Sequence, residues 1–264
     1  MKKRNEFRSN MNKRLLNDGR ERLKAFYLEA TPQQIKAGRL WYLKARALCT
    51  ALRIAYNKGL PKAKKLTKDQ IIKIVAVCSP RLRWENAGEL INIKVAKDIL
   101  MHFKSGGDWD TLQFNCLEHN HRKAFAMLKT WSTGKECVYS YNSLEVKGGA
   151  YTGNKGRLMT VRPILSGDKV TAFYYNIQQK SECLNFVTID TWILSAFFAD
   201  PNIKEAKNLT GARYADIQKI IIDLAKELNE RPEHLQAIIW LVISGREVPT
   251  KEPLTLDPIV KELI

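Results

Sequence analysis

Two short segments limit what this chain can fold into. Thr31-Pro32-Gln33-Gln34 and Thr67-Lys68-Asp69-Gln70 each place a threonine three residues before a glutamine. In a capping box the threonine hydroxyl accepts the N3 backbone N–H, and the glutamine side chain bonds back to the N-cap. Pro32 fits the first helical position, where its missing N–H has no partner to lose. Ile35, Leu40, Leu43, Ala47, Ala51 and Ile54 then recur at helical spacing, until Gly59-Leu60-Pro61 stops the helix. The second box leads into IIKIVAVC and ends at Ser79-Pro80. Further helices are expected over 84–103, over His121–Trp131, in DKVTAFYYNIQ and TIDTWILSAFFA, from Thr210 to about Asn229, and from Pro232 to Gly245.

One stretch breaks this pattern. Residues 132–162 hold five glycines, three tyrosines and the β-like pieces CVYSY and RLMTVRP, which read as a hairpin. The expected fold is mainly α, with a small β insertion near 132–162. Three segments are expected: a basic N-terminal arm and helix over 1–66, a core over 67–246, and a C-terminal tail over 247–264 packed on that core.

Charge adds a constraint on partners. Residues 1–65 hold 18 Lys and Arg against 4 Asp and Glu, whereas the rest holds 26 against 23. A polyanion partner follows, with its attraction concentrated in the first quarter. The plainer readings are a solubilising tail or an anionic membrane surface. Aromatics interleave with the charges at Phe26, Tyr27, Trp41 and Tyr42, which predicts a folded surface after about residue 25 and a looser arm before it. Arg14, Arg20 and Arg22 belong to that arm and are candidate phosphate contacts. No apolar run approaches the roughly 20 residues of a membrane span, and MKKRNEFRSNMNKR has no apolar h-region. Five scattered cysteines without a CxxC favour a reducing compartment. The expected setting is the cytoplasm.

The chain has no phosphate-cradling glycine loop, HExxH or GxSxG. Cys116, His119 and His121 form at most a partial metal site, with Cys137 as a distant fourth, and read as ordinary loop residues. No metal is expected. The chemistry-bearing unit is PILSGDKVTAFYYNI followed by FVTIDTWIL. A glycine turn that opens a helix can present backbone N–H groups to a DNA phosphate. Ser166, Gly167 and Asp168 are the candidate contacts there. Asp190 could stabilise a sugar cation or position a nucleophile, and Lys169 could attack a sugar carbon. Equally, Asp190 reads as a helix N-terminal carboxylate and Lys169 as a solvated first-turn lysine.

These residues resemble the helix-hairpin-helix DNA glycosylases of the endonuclease III type. IIKIVAVCSPRLRW resembles the family's N-terminal core helix and DNA-contacting loop, and HRKAFAMLK the helix before the hairpin. PILSGDKVTAFYYNI is similar to the hairpin, usually LPGVGxKTA, and FVTIDTWIL to the VDTHV segment. HLQAIIWLVISGR resembles the late helix. The combination of YLEATPQQIKAGRLWYLKA with SPRLRWEN is also similar to a branch of proteins often carried by bacteriophages.

The resemblance implies a two-lobed helical fold with an added N-terminal basic helix. It makes Asp190 the catalytic aspartate. Aligning on Gly167 makes Lys169 the lyase nucleophile; aligning on Ala172 puts Val170 there instead. Trp192 stands where the family usually has histidine. Arg81 and Arg83 fall in the loop that contacts DNA beside a flipped base, and Lys155 and Arg157 in the basic tip GGAYTGNKGR. No iron–sulfur cluster is implied, because the four-cysteine loop is absent; a monovalent cation at the hairpin is compatible with it. The implied activity is that of a monomeric DNA glycosylase acting on an extruded base or its glycosidic bond, with AP-lyase chemistry if Lys169 is the nucleophile. A base-modifying transferase of a viral DNA hypermodification pathway and a non-catalytic DNA-binding protein of the same fold are the alternatives.

Overall fold

The structure, a computed structural model, describes residues 11–80, 91–108, 111, 118–135, 137–140, 158–161, 167–179, 184–199 and 209–245. Over these residues the chain is mainly helical. It divides into two compact units: Met1–Ala47 with Gly167–Leu256, and Leu48–Ser166 with Asp257–Ile264.

The first unit holds α1 (Lys13–Leu28) and the start of α2 (Pro32–Asn57). It also holds α6 (Asp168–Gln178), α7 (Thr191–Phe198), α8 (Gly211–Glu227) and α9 (Pro232–Ile243). The expected capping box opens α2: Gln34 N donates to Thr31 Oγ1 at 3.2 Å, and Thr31 N donates to Gln34 Oε1 at 2.9 Å. α6 covers the expected DKVTAFYYNIQ, and Thr210 caps α8 by accepting from Arg213 N.

α1 corrects the expectation of a loose arm before residue 25. It packs on α7, α8 and α9. Leu23 is fully buried in the same apolar cluster as Ile193, Phe197, Ile217, Ile221 and Leu235, with Leu15, Leu16, Phe26 and Tyr27 packed against it. Gly19 allows the close approach, since a Cβ there would collide with the Phe197 ring. Gly38 does the same for α2, where a Cβ would lie 2.8 Å from the Ile238 backbone nitrogen. So residues of the expected 1–66 segment complete the apolar core of α7–α9 instead of forming an appendage to it.

The second unit holds the end of α2, the 3-10 turn Lys62–Lys64, α3 (Lys68–Cys78), α4 (Ile91–Lys104) and α5 (Glu118–Thr133). β1 (Cys137–Ser140) and β2 (Leu158–Val161) complete it. The capping box at Thr67 forms as expected, and α3 and α4 pack on α5. β1 and β2 pair antiparallel, Cys137 opposite Val161, and lie along α5. Residues 141–157, which include most of the expected hairpin, lie outside the described residues, as does the tail from 246. Among the described residues no helix is long and apolar enough to cross a membrane.

Candidate active site

Asp190 and Lys169 lie in the first unit and sense each other's charge. Their placement begins with the irregular segment Phe186–Ile189, which pairs with no strand among the described residues. Side chains supply the missing ladder. Asn176 of α6 donates from Nδ2 to Phe186 O at 2.8 Å, and its Oδ1 accepts from Thr188 N at 3.1 Å and Thr188 Oγ1 at 2.8 Å. From α8, the Tyr214 hydroxyl donates to Val187 O at 2.8 Å and accepts from Ile189 N at 3.0 Å. Gln218 Oε1 accepts from Val187 N at 3.2 Å. Val187, Thr188 and Ile189 are buried, so the bonds to their backbone groups satisfy donors and acceptors shielded from water.

Asp190 follows directly and is the N-cap of α7. Its φ of −109° and ψ of −176° are extended, and Oδ1 accepts from Ile193 N at 3.0 Å. Burial pushes its carboxyl above the ordinary range; the backbone N–H groups and the Lys169 charge partly offset this. Lys169 sits in the first turn of α6. Burial pushes its ammonium below the ordinary lysine range, and the Asp190 charge opposes that shift. Val170, the other candidate for the nucleophile position, is a buried apolar side chain. The pair therefore combines a carboxylate with raised proton affinity and an amine with lowered proton affinity. Shifts in these directions favour an acid–base carboxyl and a nucleophilic amine.

The α6 N-terminus, like that of α9, has no side-chain cap among the described residues. Gly167, its N-cap, has φ of +90°, and a Cβ there would meet nothing within 4 Å, so glycine is required for conformation and not for space. No side chain caps this helix, whereas Asn12, Thr31, Thr67, Asp190 and Thr210 cap others. Uncapped first-turn N–H groups are anion donors. Asp168 is exposed in that turn, and its Oδ2 lies near Gly211, so it brings negative charge where a phosphate would be attracted. Its expected role as a DNA contact therefore runs against its charge.

The other predicted residues scatter. Arg14 is exposed, 3.9 Å from Asp18. Arg20 pairs with Glu227 and Glu21. Arg22 donates to Phe197 O from Nε at 2.9 Å and from Nη2 at 2.5 Å. Arg20 and Arg22 thus fasten α1 to its neighbours. Arg81, Arg83, Lys155, Arg157 and Ser166 lie outside the described residues. Trp192 is 45% exposed beside Asp190.

Sequence reasoning missed Asn176, Tyr214 and Gln218. The one local signal was a lone asparagine amid the apolar residues of α6. Tyr42 was read only as part of a basic surface. It is buried, donates to Gln236 Oε1 at 2.8 Å, and hydrogen-bonds Thr188.

Among the described residues no three His, Cys, Asp or Glu side chains gather as metal ligands do. Cys116 and the side chains of His119 and Cys137 lie outside that set. Burial pushes the Cys49 thiol up to about 12, which makes it a poor nucleophile.

The sequence profile described as "Family of unknown function (DUF7178)" matches residues 8–138 and 157–247. Neither a curated protein nor a solved structure matches the chain.

Proposed function

The chain belongs to the DUF7178 family, and we propose that it is a DNA glycosylase-like enzyme acting on an extruded base or its glycosidic bond. One observation carries this reading. A desolvated lysine in the first turn of α6 and a desolvated carboxylate capping α7 perturb each other's protonation. In the helix-hairpin-helix glycosylases that this sequence resembles, a lysine and an aspartate in this order do the chemistry.

The neutral Lys169 amine attacks C1′ of the sugar. The N–C1′ bond forms as the glycosidic bond breaks, and the base leaves with the glycosidic electron pair and the proton that the lysine nitrogen gives up. Asp190, as carboxylate, stabilises the positive charge that builds on the sugar as that bond lengthens. The uncapped N–H groups after Gly167 support the second half of the reading, a grip on the backbone next to the extruded nucleotide. Trp192 offers an exposed ring beside the carboxylate on which a base can stack.

Borohydride trapping on DNA with an abasic site tests the chemistry. The Lys169 amine condenses with the sugar aldehyde and loses water; borohydride then reduces the C=N bond to a stable secondary amine. Wild type is expected to give a covalent adduct, and Lys169→Ala none. Absence of an adduct from wild type, with no base released from damaged or modified DNA, overturns the reading and favours a transferase or a non-catalytic DNA-binding protein.

A further inference from the structure

Between Glu29 and Asp69 the chain has ten Lys and Arg and no acidic residue. The end of this stretch is a lysine loop in the second unit. Lys58, Lys62, Lys64 and Lys65 are all exposed. Among the described residues none of the four has an acid within ion-pair distance. The acid that follows in sequence, Asp69, is taken by Lys73 at 2.6 Å.

The loop is built, not slack. Asn57, the last residue of α2, clamps its far end: Nδ2 donates to Leu66 O at 2.9 Å and Oδ1 accepts from Leu66 N at 2.8 Å. Lys104 of α4 donates to Lys58 O at 2.7 Å and so fixes the near end. Gly59 makes the turn with φ of +77°, and Leu66 is buried. Between the clamps, Lys64 N bonds Pro61 O and Lys65 N bonds Lys62 O. At three residues per 3-10 turn, Lys62 and Lys65 come out on one side. Holding like charges together in a braced loop is unfavourable until an anion bridges them.

We propose that the loop Lys58–Lys65 is a sequence-independent contact for the DNA sugar–phosphate backbone. This rests on the reading of DNA as substrate. The chemistry favours a polyanion over a lipid surface, because the non-lysine residues of the loop are Gly59, Leu60, Pro61 and Ala63, and only Leu60 is a large apolar side chain. Interfacial anchoring needs an apolar face to insert.

The test compares wild type with a variant carrying Lys→Gln at 58, 62, 64 and 65, and with one carrying Lys→Arg at the same positions. Binding of a labelled duplex is followed by fluorescence anisotropy from about 50 to 200 mM KCl, where each phosphate contact adds about 0.9 to the slope of log affinity against log salt. The glutamine variant is expected to lose about 3 from that slope and more than tenfold in affinity, while the arginine variant matches wild type. Equal slopes and affinities for wild type and the glutamine variant overturn the proposal. So does a loss confined to phosphatidylserine vesicles. Trapping separates this proposal from the enzymatic reading: at low salt the glutamine variant still forms the borohydride adduct, since Lys169 is intact. A wild type that binds DNA through the loop but forms no adduct and releases no base from damaged or modified DNA refutes the enzyme and leaves the loop standing.

Discussion

Asp190 carries two duties that a single substitution can separate. As a cap it satisfies Ile193 N, and as a carboxylate it presents charge toward Lys169. Asparagine caps a helix about as well as aspartate but has no charge. Asp190→Asn is therefore expected to have a thermal midpoint no lower than wild type while losing about 10²- to 10⁴-fold in base release; equal activity would leave only the capping role. The raised carboxyl also has a sign. Its protonated form is favoured in the fold, so the stability it contributes is present below the ordinary carboxylate range and is lost as pH rises through the folded value. Relative to wild type, Asp190→Asn should gain stability across that window and no further above it, as urea titrations at several pH values will show. In Lys169→Met the opposing charge is gone, and the Asp190 titration followed by NMR should move higher still.

The positioning residues are tested differently. Asn176→Ala strands the Phe186 carbonyl and both Thr188 donors, and is expected to cost about 2–3 kcal/mol in denaturant unfolding. Asp190 was legible in the sequence because its neighbours form a local pattern. Asn176, Tyr214 and Gln218 were not, because their partners lie 10 to 31 residues away and only the folded chain brings them together.

At the scale of elements, helix starts were the most legible feature. A capping box is written in four consecutive residues, so Thr31 and Thr67 could be read without knowing anything else. α1 was obscured by its charge. Its stripe of Leu16, Gly19, Leu23 and Tyr27 has helical spacing, but glycine at the closest contact does not register as apolar, and the surrounding cations suggested a solvated arm. Met11 is already buried in the first unit's core. Deleting residues 1–10 should leave the unfolding midpoint unchanged and flatten the salt dependence of DNA binding. Leu23→Ala should cost about 2–5 kcal/mol. Gly19→Leu should be at least as damaging, because its side chain has the Phe197 ring in its path.

At the scale of the whole molecule, the charge excess no longer describes a detachable tail. Part of it fastens α1 through Arg20 and Arg22, part caps the α2 terminus through Lys104, and part is displayed without acidic neighbours on the loop after α2. The two-unit division was not legible because it does not follow the sequence. Ala47 and Leu48, on either side of it, are adjacent residues inside one continuous helix.

That division has a consequence for how the protein is made. A ribosome releases α1 and the first half of α2 long before α6–α9, the helices that cover them. At roughly 5–20 residues per second, the intervening Leu48–Ser166 takes on the order of ten seconds to emerge. During that interval the second unit has nearly all of its chain and can fold, while Leu23 and its neighbours wait uncovered. α1 is thus synthesised long before the helices that bury it, and for those seconds its apolar stripe is open to a chaperone or to another nascent chain.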